Sequence, residues 1–192
     1  PLIKVVDPVF LGLHCSGYSS GEVSSKCVLK TDPNERVGVF CTRGESTVII
    51  EYSDMTVEQT QEQATDGKLS FCCGSIAAHL ITTSFIDRVA SDLPWHVAYK
   101  AISYIDLSSS EIILPKEPNA YKFERFIFDI LPFATNALVV ETKREEEFAP
   151  IKNAAGNDSP QTSKQLQRNR AVAWLHRRGV EVPLDAMVEI SP

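Results

Sequence analysis

The residues best suited to chemistry in this sequence are one acid–phenol pair and two lysines. Glu51 and Tyr52 end an apolar, strand-like segment, where a carboxylate and a phenol at a sheet edge can hydrogen-bond a polyol. Lys122 and Lys152 lie on either side of a predicted helix and strand, and two lysines that face one cleft would neutralise phosphate oxygens. For all four residues, the pattern alone leaves an ordinary surface position as the alternative.

Motifs for nucleophilic, phosphate-cradling or metal chemistry are weak. The pattern GxSxG occurs at residues 17–21, but a hydrolase nucleophile needs a buried strand before it and a helix after it, and here the order is reversed. The sequence contains neither GxGxxG nor GxxxxGK(S/T), the glycine-rich phosphate loops. The histidines show no i, i+4 pairing with one another, so no metal site is predicted and each is interpreted as a packed or surface side chain.

Length and composition predict one soluble folded domain or a large part of one. The chain has 192 residues, 43% hydrophobic and 23% charged, which is close to ordinary globular usage. Nineteen Lys and Arg face 25 Asp and Glu, a net charge of -6, so general nucleic-acid binding is disfavoured. No apolar run reaches the roughly 18 residues that cross a bilayer, so no membrane partner is expected. The five cysteines form no CxxC pair, which favours reduced thiols and a cytoplasmic location.

Hydrophobic periodicity predicts a mixed α/β fold. Segments at residues 37–42 and 47–52, separated by a Gly-containing loop, predict a hairpin. The best delimited helix has Ser159 as its N-cap and Gly179 after its last turn. Further strands are predicted at residues 26–30, 69–73 and 137–141, and further helical segments at residues 8–13, 56–64, 76–89 and 123–133. Because the last of these helices is followed by a strand, an α/β sheet layer is expected.

Two charged stretches each allow two interpretations. Residues 144–148, REEEF, follow the strand predicted at residues 137–141 and would either coordinate a cation or form the solvated exit of that strand. Residues 159–180 contain five basic side chains and no acidic one. A solvated helix face is favoured there over an anion-binding patch.

Seven stretches together carry a family resemblance. In chain order they are KVVDPVFLG, RVGVFC, IIEYSD, FCCGSIAAH, YKFERFIFD, REEEFAPIKNA and DSPQTSKQ. They resemble the eukaryotic UDP-N-acetylglucosamine pyrophosphorylase family through nearly the whole chain. The resemblance implies part of a Rossmann-like nucleotidyltransferase domain of GT-A type, with a mixed sheet and flanking helices. It also implies a reaction in which UTP and N-acetylglucosamine 1-phosphate form UDP-N-acetylglucosamine and pyrophosphate with the help of Mg²⁺.

The resemblance assigns sugar-binding roles to several residues. Glu51 and Tyr52 correspond to the family's substrate pair, in which the carboxylate accepts hydrogen bonds from sugar hydroxyls, and the backbone of Gly38 approaches the same sugar. Phe126 and Phe128 correspond to an aromatic wall beside the N-acetyl arm. An i, i+2 pair cannot share one helix face, so one ring in the core and the other in the pocket is left open.

The resemblance also assigns roles in phosphate binding and sugar preference. Lys122 matches a lysine that binds the UTP phosphates, and Lys152 matches a second phosphate-contacting lysine. Ser75 stands where the family often carries a sugar-binding Asn, and its shorter side chain leaves the N-acetylglucosamine preference open. The implied chemistry is in-line attack of a sugar-phosphate oxygen on the α-phosphorus of UTP, promoted by positioning and charge neutralisation.

By the same resemblance, the chain corresponds to an inner part of the family's sequence. The family's Gly-rich UTP loop and its Mg²⁺-binding Asp would precede the position that matches Pro1. Residues 1–155 are then predicted to be the sugar-binding half of the catalytic domain, and residues 156–192 the start of a C-terminal region. Three hypotheses follow: the sugar-binding half of such an enzyme, inactive alone; a relative with a different sugar preference; or a non-catalytic binding module. The oligomeric state is left open.

Overall fold

The computed structural model describes residues 4, 6–16, 21–30 and 32–190. Its helices are α1 (Pro8–Cys15), α2 (Val57–Gln61), α3 (Thr83–Val89), α4 (Arg144–Glu147) and α5 (Pro160–His176), with a 3₁₀ helix at Ile127–Phe133. Its strands are β1 (Val23–Leu29), β2 (Val39–Arg43), β3 (Ser46–Ile50), β4 (Cys73–Ile81), β5 (His96–Lys100), β6 (Tyr104–Ile105), β7 (Ile112–Ile113), β8 (Ala120–Glu124) and β9 (Leu138–Glu141). Within the described ranges, no helix has the length and apolar character that crossing a bilayer requires.

A five-stranded mixed sheet has the strand order β3-β2-β4-β1-β9. Strand β1 runs antiparallel to β4 and parallel to β9, and β2 runs antiparallel to both β3 and β4. The β2–β3 hairpin forms as its sequence predicts, and Gly44 in its turn has a φ of 63°, a conformation that glycine adopts without strain. The mixed sheet with its flanking helices confirms the predicted α/β fold class.

One face of this sheet packs against α3 and the 3₁₀ helix. The buried cluster there consists of Val23, Cys27, Phe40, Phe85, Val89, Ile130 and Leu131. Each such side chain contributes on the order of 1.5–3 kcal/mol by leaving water. Ile49 of β3 and Phe128 of the 3₁₀ helix both pack against the cluster. The core therefore fixes the start of the 3₁₀ helix close to the end of the β2–β3 hairpin.

The other face of β1 carries a buried ion pair. Lys26 Nζ lies 2.6 Å from Glu147 of α4 and 2.8 Å from Asp7, the N-cap of α1. The side chains of Lys26 and Glu147 are each 2% exposed. Burial alone lowers the pKa of Lys26, but its hydrogen bonds to Asp7 and Glu147 outweigh burial and raise that pKa above the ordinary value. The prediction that residues 144–148 form a solvated exit is therefore wrong for Glu147, which is the partner of a buried lysine.

The ladder between β1 and β4 contains a bulge beside Ser75. The register shifts between Lys26 and Cys27 of β1, which leaves extra residues on β4. One of these residues, Ala77, has a φ of 57°, a conformation that costs a non-glycine residue roughly 1–2 kcal/mol. Bulges change the direction of side chains and often lie next to active sites. The segment that carries Ser75 is therefore a candidate part of a functional site.

Two helix predictions are partly wrong for the same reason. Residues 76–81 belong to β4 and residues 123–124 belong to β8, so only the later parts of both stretches are helical. A short apolar run is compatible with both the helical and the strand period. Residues 76–81 form a strand because they pair with β1, and residues 123–124 because they pair with β5. Pro132 lies inside the second helical part. The strand predicted at residues 69–73 contributes only Cys73 to β4.

Helix α5 forms with the ends that its sequence predicts. Ser159 caps it, Pro160 occupies its first turn, and Gly179, with a φ of 77°, follows it. Three basic side chains of the helix and its C-cap have partners within the chain. Arg177 pairs with Glu146 at 3.1 Å, and Arg170 donates to the Glu146 carbonyl at 3.2 Å. Arg168 donates to the carbonyls of Pro183, Leu184 and Ala186. These contacts favour a structural role for this part of the basic helix over an anion-binding patch.

Candidate functional site

Three of the residues singled out by the sequence lie side by side in the sheet. Val39 of β2 is paired with Ile50 of β3 and with Gly74 of β4. The residue that precedes Val39 and the residues that follow Ile50 and Gly74 therefore form the next row across the three chain segments. That row consists of Glu51, Gly38 and Ser75. The amide of Ser75 donates a hydrogen bond to the carbonyl of Gly38 at 2.8 Å. Three separate stretches of the sequence contribute these residues, and the sheet brings them together in one row.

Glu51 is half-buried, and its pKa is raised. Burial is the main cause, and Asp54 and Asp129 add to it, whereas Lys152 and His96 act in the opposite direction. These influences show that residues distant in sequence surround one carboxylate. A carboxylate whose charged form is disfavoured by its surroundings is typical of a functional site.

Gly38 stands directly against Glu51. A β-carbon built at Gly38 would lie 2.8 Å from Oε1 of Glu51 and 2.9 Å from Cγ2 of Ile49, closer than van der Waals contact allows. The absence of a side chain at Gly38 therefore sets where the Glu51 carboxylate lies. Gly38 itself is buried in the structure.

We expect Gly38→Ala to push the Glu51 carboxylate aside and to lower the free energy of unfolding by about 1–3 kcal/mol, the usual cost of overpacking. Gly12→Ala is the matched control, because a β-carbon at Gly12 of α1 meets open space. It should stabilise the protein by about 0.5–1 kcal/mol through helix propensity. Urea denaturation of both variants checks the prediction, and a Gly38→Ala protein as stable as the wild type would contradict it.

A cluster of rings and one hydrogen-bonded pair of side chains borders the row. The rings of Phe126 and Phe128 stack with centroids 4.9 Å apart, and the ring of His96 lies 4.5 Å from Phe126. Nε2 of His96 lies 2.6 Å from Oδ2 of Asp129. Phe126 is extended and precedes the 3₁₀ helix, so the two phenylalanines face each other instead of pointing to opposite sides of a helix. Both rings are half-buried, and Phe128 also packs against the core cluster, so the pocket role of either ring stays a prediction.

The pair of His96 and Asp129 is the part of this region that the sequence did not reveal. From the sequence, His96 is expected to be a packed or surface side chain, and no pattern marks Asp129. The two residues are 33 positions apart and belong to β5 and the 3₁₀ helix. No spacing motif links them, so only the fold brings them together near Glu51.

The remaining candidates occupy different places relative to this row. Lys152 donates a hydrogen bond from Nζ to the carbonyl of Arg36, next to the β2 segment, and it is near enough to affect Glu51. Lys122 lies on β8, where it pairs with Glu124 at 2.6 Å. Tyr52 follows Glu51 in a turn and is 43% exposed. The phosphate roles of the two lysines and the substrate role of Tyr52 stay predictions.

The raised pKa of Glu51 predicts a pH-dependent gain in stability for Glu51→Gln. Because the fold favours the protonated carboxyl, wild-type stability falls as the pH rises from the ordinary glutamate value of 4.5 through the raised folded value. Glutamine stays neutral, so the variant should be more stable than the wild type at neutral pH, and this advantage should shrink as the pH is lowered. Urea midpoints measured across pH check this, and Glu45→Gln on the exposed hairpin turn serves as the control.

Two expectations concern nucleophilic and metal chemistry. Most of the GxSxG pattern at residues 17–21 lies outside the described residues. Within the described ranges, no group of three or more His, Cys, Asp or Glu side chains could hold a metal ion.

Comparison with known proteins places this geometry in context. A probable UDP-N-acetylglucosamine pyrophosphorylase of Caenorhabditis elegans is 39% identical over 181 residues, 92% of this chain and 37% of that protein. The human UDP-N-acetylhexosamine pyrophosphorylase-like protein 1 is 37% identical over 191 residues, 96% of this chain and 37% of that protein. Over nearly its whole length, the chain is a homologue of UDP-N-acetylglucosamine pyrophosphorylases. No protein-family model matches the sequence.

A solved structure agrees with this assignment. The crystal structure of the UDP-N-acetylglucosamine pyrophosphorylase from Trypanosoma brucei, in complex with an inhibitor, superposes with a TM-score of 0.74 at 28% identity. The match covers 91% of this chain and 34% of that one. The chain thus spans well under half the length of the relatives it matches. Its likeness to UDP-N-acetylglucosamine pyrophosphorylases confirms the family resemblance that the seven sequence stretches carry.

Proposed function

We propose that this chain forms the sugar-binding side of a uridylyltransferase that makes UDP-N-acetylglucosamine and pyrophosphate from UTP and N-acetylglucosamine 1-phosphate. The observation that carries the proposal is the row of Glu51, Gly38 and Ser75, with Lys152 near enough to affect the pKa of Glu51. A carboxylate that accepts hydrogen bonds and a lysine that carries positive charge match the hydroxyls and phosphate of a sugar phosphate. The names of the homologues support the reaction.

Each residue has a role in holding the sugar. The Glu51 carboxylate accepts hydrogen bonds from sugar hydroxyls, and Tyr52 beside it supplies a phenol. Gly38, which has no side chain, lets the sugar ring approach the backbone. The stacked rings of Phe126 and Phe128 offer an apolar wall against which the methyl of an acetamido group packs.

The lysines serve the phosphates. Lys152 places one positive charge on the side of Glu51, where it neutralises the phosphate of the bound sugar. Lys122 breaks its ion pair with Glu124 and neutralises charge on the nucleotide phosphates. The reaction is in-line attack of a sugar-phosphate oxygen on the α-phosphorus with pyrophosphate leaving, so positioning and charge neutralisation are the contributions that the protein makes.

We further propose that the reaction uses Mg²⁺, which, when bound, neutralises charge on the triphosphate. The described residues offer no cluster of three or more side chains that fits the ion. We therefore assign no residue of the described part as its ligand, and none of the roles above depends on the ion.

The proposal is tested by calorimetric titration of the chain with N-acetylglucosamine 1-phosphate and with UDP-N-acetylglucosamine. We expect both to bind, Glu51→Gln to weaken both, and the matched change Glu45→Gln on the hairpin turn to leave both unchanged. Circular dichroism shows that each variant is folded. A folded wild-type chain that binds neither ligand, or equal affinity in Glu51→Gln, would overturn the proposal.

A second candidate, a transferase with a different sugar preference, is favoured by the position of Ser75. The Ser75 Oγ accepts a hydrogen bond from the Ala77 amide at 3.3 Å. The hydroxyl that would contact a sugar is therefore already hydrogen-bonded to the backbone of the bulge. Affinities for N-acetylglucosamine 1-phosphate and glucose 1-phosphate distinguish the two candidates. Tighter binding of the acetylated sugar favours the first, whereas equal binding that Ser75→Asn shifts toward the acetylated sugar favours the second.

A further inference from the structure

Three thiols meet where β1 lies beside β4. Cys27 of β1 belongs to the buried cluster, Cys73 of β4 packs against that cluster, and Cys72 directly precedes Cys73. In the ladder, Cys27 lies opposite Ser75, two residues from Cys73. Because strand side chains alternate between faces, Cys27 and Cys73 point to the same face of the sheet. The pair is therefore two neighbouring thiols on adjacent strands.

Exposure and charge distinguish the three cysteines. Cys27 is buried, whereas Cys72 and Cys73 are half-buried, and Cys72 lines an open cavity with Lys30, Leu69 and Lys68. The hydrogen bond from Cys27 lowers the pKa of Cys73 below that of an ordinary thiol, although burial opposes it. The same interaction raises the pKa of Cys27. Cys73 therefore ionises more readily than Cys27 and lies nearer to solvent, and the thiolate is the form that oxidants attack.

We propose that Cys73 is a site of reversible oxidation by hydroperoxides, with Cys27 as the partner that converts the oxidised sulfur into a disulfide. The Cys73 thiolate attacks the terminal peroxide oxygen and the O–O bond breaks, so that Cys73 becomes a sulfenic acid; hydroxide leaves from hydrogen peroxide, and an alkoxide leaves from an organic hydroperoxide. The Cys27 sulfur then attacks the Cys73 sulfur, and the S–O bond breaks. Water leaves with the Cys27 proton as the S–S bond forms. Over both steps, two electrons pass from the sulfurs to the peroxide.

Closing this bond requires a small movement of the strands. Diagonal neighbours across an antiparallel ladder have Cα atoms roughly 7–8 Å apart, slightly more than the usual disulfide span of about 4.4–6.8 Å. Oxidation should therefore pull β1 and β4 together just beside Gly74 and Ser75. A disulfide formed at such a cost is more easily reduced than a relaxed one, which suits a reversible modification.

The test uses the full chain treated with hydrogen peroxide, alkylated and digested with trypsin. Cleavage after Lys26 and Lys30 isolates Cys27 in residues 27–30, and Cys72 and Cys73 remain together in residues 69–88. We expect these two peptides to become linked with the loss of two hydrogen atoms, and the link to be cleaved by dithiothreitol. This readout does not depend on the proposed transferase function.

Variants decide which sulfur is involved. The link should disappear in Cys73→Ser and persist in Cys72→Ser and in Cys41→Ser, a matched change on β2. A link that persists in Cys73→Ser, or wild-type peptides that stay reduced, would overturn the proposal. The rate of Cys73 alkylation in the untreated wild type is a second measurement that needs no variant, and it should reach half its maximum at lower pH than that of Cys41.

Discussion

The change Glu51→Gln is expected to lower the affinity for N-acetylglucosamine 1-phosphate roughly 10- to 150-fold, since a hydrogen bond to a charged group is worth about 1.5–3 kcal/mol. The variant keeps the size of the side chain but loses its charge and one acceptor oxygen. The loss of affinity is measured as an increase in Kd for the sugar phosphate, or as a decrease in kcat/KM where turnover is measured. Affinity for UTP should change far less, because the roles proposed for Glu51 concern only the sugar.

The same variant is expected to gain stability at neutral pH, because the raised pKa of Glu51 reflects a charge that the fold disfavours. Weaker binding together with higher stability would identify Glu51 as a residue kept for function. Glu45→Gln should change neither quantity. If Glu51→Gln bound sugar phosphate normally and unfolded at a lower urea concentration than the wild type, Glu51 would be a structural residue only.

The second large effect is expected from Lys26→Met. This change leaves Glu147 as a buried carboxylate without its cation, and breaking a buried pair on one side typically costs 3–5 kcal/mol. Urea or thermal unfolding measures the loss. We expect the double variant Lys26→Met with Glu147→Gln to recover most of it, because the unpaired charge is then removed as well.

Lys68→Met is the control for this prediction. Lys68 pairs with Asp66 at 3.4 Å on an exposed turn, and such surface pairs contribute little to stability. We expect the control to unfold like the wild type. Equal stability of Lys26→Met and the wild type would mean that the ion pair between β1 and α4 does not hold these elements together.

Local signals predicted some elements of the fold and not others. The β2–β3 hairpin was predictable because β-branched runs flank a Gly-containing turn, and α5 because Ser159 and Gly179 mark its ends. The strand at residues 76–81 was not predictable, because a short apolar run fits both the helical and the strand period. Only pairing with β1, some 50 residues away in the sequence, makes this run a strand.

The candidate site shows a similar division. Glu51 stood out because an acid ends an apolar strand, and the family resemblance pointed to Gly38 and Ser75. The pair of His96 and Asp129 carried no signal, because its two members come from separate elements. The buried partner of Lys26 was equally hidden, since a run of glutamates usually lies in solvent and only the approach of α4 to β1 buries Glu147.

The buried ion pair also has a consequence for the order of events during synthesis. Glu147 follows Lys26 by 121 positions, so at roughly 5–20 residues per second the ribosome adds it on the order of ten seconds later. During this interval, β1 lacks both its parallel neighbour β9 and the carboxylate that neutralises Lys26. Until then, Lys26 has, among the described residues, only Asp7 as a carboxylate partner, and β1 can pair with β4 but leaves its opposite edge unpaired.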